Sequence, residues 1–146
     1  MKRILTLAFI PFRPDCGLLV LRIGICLSLF FKHGTEKLFH FSQMAAHFPD
    51  PLHIGAVPSL AFAMIGDGVC TLLIVVGLAT RWAALISFLN IFVAWAFVHQ
   101  FVFFGHGADH GELIVLYLAG LLAILVAGPG RYSIDAWLLS KSAQKD

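Results

Sequence analysis

The stretch Pro58–Leu78, PSLAFAMIGDGVCTLLIVVGL, carries a single charge, Asp67, near its middle. About twenty apolar residues at roughly 1.5 Å rise each match the hydrocarbon thickness of a bilayer. Lipid solvates a carboxylate badly: at a bilayer centre an acid costs roughly 2.5–3.5 kcal/mol. A chain keeps such a group where it faces other protein, pairs with a cation or stays protonated. The stretch therefore predicts a membrane bundle with a polar interior, and that interior is where function is to be sought.

The remaining sequence agrees. Of 146 residues, 60% are hydrophobic and 12% charged, against about 25% charged in soluble domains, and mean hydropathy is +0.90. These values argue against a water-soluble protein. A net charge of +2 gives no footing for nucleic acid. Too few residues lie outside the apolar runs for a second domain, so 1–146 reads as one membrane domain. Cys16, Cys26 and Cys70 form no CxxC pair and fall in apolar sequence, as buried thiols packing as small hydrophobes do.

Four spans follow, at about 14–33, 58–78, 82–104 and 111–128, with Gly and Pro marking their ends. The short Thr80-Arg81 connection makes a helical hairpin of the second and third. With four spans, Lys2, Arg3, Arg13, Arg81, Arg131, Lys141 and Lys145 share one side, and Lys32 and Lys37 the other. That asymmetry predicts a multi-pass protein of the bacterial inner membrane with both termini cytoplasmic. Met1–Ile10 starts like a signal peptide, but its apolar core is short and prolines follow. It reads as an uncleaved segment lying at the interface.

All seven histidines then fall on the outer side. His33, His40 and His47 are spaced by seven, which puts them on one face of a helix spanning His33–Phe48, with Leu38, Phe41, Ala45 and Phe48 on a different face. This predicts an amphipathic interfacial helix after the first span. A second loop places His106, Asp109 and His110 close together, a density of imidazole and carboxylate that suits a transition metal. No HExxH or paired CxxC supports it, and a solvated loop is the simpler reading.

Arg22 lies in the first span and Asp67 in the second, at depths differing by roughly 5–8 Å by helical rise. A buried Arg22–Asp67 pair is the expected way to carry both charges. Glu112 is the second candidate acid. In the third span Phe88, Phe92, Trp95 and His99 form a stripe under regular helical spacing, a suitable wall for a quinone ring. His33, Glu36, His99 and Glu112 are expected to converge at an outer mouth, over a cavity walled by Phe92 and Trp95.

Leu21-Arg22-Ile23-Gly24 with Phe31-Lys32-His33-Gly34-Thr35-Glu36-Lys37 resembles the first span of the DoxX family. Gly77-Leu78-Ala79-Thr80-Arg81 resembles its second-to-third connection, and Gly128-Pro129-Gly130-Arg131-Tyr132-Ser133-Ile134-Asp135 its end. Asp67 falls where that family usually carries Glu. The resemblance implies a four-helix bacterial inner-membrane protein. One branch resembles the membrane subunit of thiosulfate:quinone oxidoreductase. The leading expectation is thus a membrane subunit of a quinone-linked redox system. Its ligand site would use Arg22, His33, Glu36, Asp67, Phe92, Trp95, His99 and Glu112, with a redox protein or a second copy as partner. The rival expectations are a non-enzymatic assembly partner and a metal or small-molecule carrier using the histidine-rich face.

Overall fold

Among the described residues, three helices are long and apolar enough to cross a membrane. In the computed structural model, which describes residues 13–103 and 111–143, they are α1, Pro14–Phe39, α3, Ala56–Val76, and α4, Thr80–Val98. A single turn, α2, covers Phe41–Met44; α5 covers Gly111–Ala127 and α6 Ile134–Ser142. No strand occurs among the described residues. The predicted N-terminal segment lies outside them.

The long helices alternate in direction and close into a ring. The α1 helix packs on α3 and α5, and α4 packs on α3 and on α5. Cys26, Leu29, Ile74, Ala84, Leu121 and Ile124, all fully buried, fill the centre. The short α5, 17 residues, is apolar beyond Glu112 in its first turn. Cys26 and Cys70 are free thiols within this core.

One end of the ring is tied shut. Gly77, at φ 75°, ends α3. Its N–H reaches the Ile74 carbonyl, and the Leu78 N–H reaches the Leu73 carbonyl, the paired bonds of a Schellman stop. Asp135, across the bundle, accepts from the N–H of Ala79 and of Thr80 at 2.8 and 2.9 Å and from the Thr80 hydroxyl at 2.8 Å. It thereby satisfies N–H groups at the start of α4 that have no partner within the helix. Burial pushes the Asp135 carboxyl up. The Thr80 and Ala79 bonds, helped by Arg22, more than offset this and hold it below the usual carboxylate range. Arg22, 1% exposed, donates to the Tyr132 carbonyl and lies against Gly77. Arg81 donates to the Val126 carbonyl, and Asp15 accepts from the Arg131 N–H. The motifs Gly77–Arg81 and Gly128–Asp135 are thus the two halves of a clasp.

Each of the three long helices contains a widened π turn: Phe30–Gly34 in α1, Ile65–Cys70 in α3 and Ala94–Val98 in α4. A π turn holds one extra residue. Everything beyond it rotates by one position, about 100°. This moves the register of α1. Continuing regularly from buried Leu29 would bring His33 and Glu36 inward; the extra residue brings Gly34 and Lys37 instead, and both are buried. The expected separate helix from His33 to Phe48 does not form. Residues through Phe39 extend α1, the chain breaks at His40 (φ −117°, ψ 24°), and only the α2 turn follows. Gly34 fails as a stop signal because it is a contact: a Cβ there would stand 2.5 Å from the Asp67 carbonyl oxygen.

Candidate functional site

The site is built where the π turns of α1 and α3 meet. Gly66 and Gly68 flank Asp67, and their small size lets neighbouring helices approach on both sides. A Cβ on Gly66 would fall 2.7 Å from the Asn90 Cβ, and one on Gly68 3.2 Å from a Leu38 methyl. The backbone oxygens of this turn are satisfied by hydroxyls. Thr71 donates to the carbonyls of Asp67 and Gly68 at 2.7 and 2.8 Å, and Ser87 of α4 to that of Gly66 at 2.7 Å. In lipid such bonds are obligatory, because no water replaces them.

The Asp67 side chain, 4% exposed, joins three helices. Its Oδ2 lies 2.9 Å from Lys37 Nζ of α1. Its Oδ1 accepts from Asn90 Nδ2 of α4 at 2.7 Å. Lys37 also donates to the His33 carbonyl at 3.3 Å. The expected Arg22–Asp67 pair is therefore replaced. Since α1 runs on to Phe39, Arg22 sits lower than a span ending at His33 would put it, level with Gly77 in the clasp. Lys37, placed in the outer loop by span counting, is inside the bundle.

Above this pair lies a cavity of about 440 Å³. Lys37, Asp67 and Asn90 border it, with His33, His99 and Tyr117. Phe62, Ile91, Val93, Val98 and Leu113 give it an apolar wall, and Phe48, Pro49, Pro51, Leu52 and Ile54 of the loop before α3 complete the lining. That loop is pinned by Asp50, which accepts from the Ser59 hydroxyl and the N–H groups of Ile54 and Gly55 at 2.8–3.0 Å. The Ser59 bond leads in keeping the Asp50 carboxyl below its ordinary range; the two N–H bonds add to it against the upward push of burial.

The sequence-predicted residues separate into two groups. His33, Asp67 and His99 border the cavity. Arg22, Glu36, Phe92, Trp95 and Glu112 do not. Glu36 and Glu112 are exposed, Glu112 beside a separate groove with Phe103 and Leu116. Phe92 and Trp95 join Phe101 in an edge-to-face cluster, and Phe92 stacks on Phe88. The π turn of α4 explains why His99 leaves their stripe. Its N–H bonds to the Ala94 carbonyl, five residues back, and that of Ala94 to Asn90, four back. His99 thus stands in line with Ala94 and Asn90 on the cavity face. Sequence reasoning missed Lys37, Asn90 and Tyr117. A polar Asn90 within an apolar span was the available signal for one of them. His106, Asp109 and His110 lie outside the described residues; among the described ones no group of three metal-ligating side chains comes together.

Comparison with known proteins places this architecture. The DoxX family model matches residues 17–100, the segment that carries Lys37, Asp67 and Asn90. An uncharacterized protein of Haemophilus influenzae is 30% identical over 123 residues, covering 82% of this chain and 81% of that protein. No solved structure matches. With more than half its length matched by the model, including the three helices that hold the buried pair, the chain belongs to the DoxX family.

Proposed function

We propose that the chain is a membrane subunit of a quinone-linked redox system and binds a small ring-bearing ligand in the cavity above Asp67. The observation that carries this reading is the position of the Lys37–Asp67 pair. A buried ion pair adds little net stability on its own, because desolvation offsets much of its Coulomb attraction. This one borders a cavity of about 440 Å³ whose wall is largely apolar, the combination of apolar body and few convergent polar groups that suits a small organic ligand. A quinone offers carbonyl acceptors to the donors of Lys37, Asn90 and Tyr117, and an apolar ring to Phe62 and Ile91. The protein's own residues bind and orient the head; an electron donor is the partner such a role requires.

Native mass spectrometry of the protein, purified with its lipids in mild detergent, tests the reading. A quinone-sized adduct is expected on the wild type and absent from Asn90→Leu. Protein without an adduct that also fails to take up added quinone would sink the proposal.

In this reading α5 is a fourth span, and both termini face the cytoplasm of the bacterial inner membrane. The clasp is then the cytoplasmic end and the cavity opens outward. Reporter fusions after Lys145 and within 40–49 are expected on opposite sides. Finding both on one side would exclude four spans.

A further inference from the structure

What the cavity offers a ligand is unequal in sign. Asp67 is the one carboxylate among the described residues that line it, and both its oxygens are already engaged, by Lys37 and by Asn90. Lys32 and Lys37 stand against it. Two lysines minus one aspartate leave the lining at a formal +1 with His33 and His99 neutral. Protonation of either histidine adds to the same sign. An ammonium has three donors. On Lys37 one goes to Asp67 and one to the His33 carbonyl, which leaves the third for the cavity that Lys37 borders. The apolar wall keeps the dielectric low around Lys37, while the charge of exposed Lys32 is partly screened by solvent.

We infer that the cavity selects a ring-bearing amphiphile whose head oxygen carries a negative charge, an ionised hydroxyquinone in class. Lys37 holds that oxygen at the buried end, and Lys32 adds to the field nearer the surface. Asp67 is then a positioning residue: it fixes the Lys37 ammonium, and its own charge moderates the attraction. The inference rests on the quinone reading above and narrows it.

The test uses full-length protein in lipid nanodiscs and three probes, with binding read by calorimetry. A hydroxynaphthoquinone, ionised at neutral pH, has both ring and charge. Its methyl ether keeps the ring without the charge. Dodecanoate keeps the charge without the ring. The ionised quinone is expected to bind at least about tenfold more tightly than the ether. Lys37→Met combined with Asp67→Asn, which removes both buried charges together, is expected to abolish that preference. Lys32→Gln, at an exposed position that leaves the fold intact, is expected to reduce it. Equal binding of the two quinones, or tighter binding of the ether, overturns the inference and leaves the quinone reading standing. A preference unchanged in the Lys32 and Lys37 variants also overturns it. Binding of dodecanoate alone keeps the charge selection and removes the quinone reading; binding of none of the three removes both.

Discussion

Asp67→Asn is expected to cost on the order of 3–5 kcal/mol, because it leaves a buried ammonium without its counter-charge. Lys37 is 8% exposed, so water can make up only part of the loss. Lys37→Met strands the carboxylate in turn, with Asn90 as its remaining partner. Removing both charges together is expected to restore much of what either single change loses, since two neutral side chains need no compensation. Folded yield and thermal stability in detergent, measured for the four combinations, give the coupling directly. Strict additivity would show that the two groups do not interact. Arg22→Leu supplies the contrast. Arg22 bonds to Tyr132 and lies by Gly77, so its loss is expected to add to that of Asp67→Asn without coupling.

Gly34→Val is expected to lose about 3 kcal/mol, the upper end for overpacking. The atoms its Cβ would meet are the Asp67 carbonyl at 2.5 and 3.0 Å and the Gly68 Cα at 3.1 Å. These belong to backbone and cannot rotate away, so α1 and α3 must separate at the level of the ion pair. Gly24→Val in the same helix is the control, since a Cβ there meets nothing within 4 Å. Equal melting temperatures for the two variants would rule out the close approach.

Hydropathy made the long helices legible, because apolar length is a local property of the chain. The positions of Asp67, His33 and His99 at a polar interior were legible for the same reason: lipid tolerates few such groups, so each marks protein or cavity. The partners of Asp67 were not. Choosing between Glu36 and Lys37 depends on one extra residue in the turn Phe30–Gly34. Regular spacing selects Glu36, and the packed bundle selects Lys37. The same shift in Ala94–Val98 separates His99 from Phe92 and Trp95. A π turn is stabilised by what packs beside it, here Gly34 on the Asp67 backbone and Asn90 on Gly66, and those neighbours are distant in sequence. The resemblance of Gly77–Arg81 and Gly128–Asp135 to family segments identified the chain without showing that the two segments bond to each other.

The clasp also limits traffic. Beneath Asp67 the centre is filled by Cys26, Ile74, Ala84, Leu121 and Ile124, each at 0% exposure, and below them Asp135 and Arg22 tie the turns together. A passage through this floor would have to part the packed layer and break those bonds at once. The packed layer closes the cavity on the clasp side. Anything that enters the cavity therefore meets a wall at that end, and a route from one end of the bundle to the other would require the core itself to rearrange.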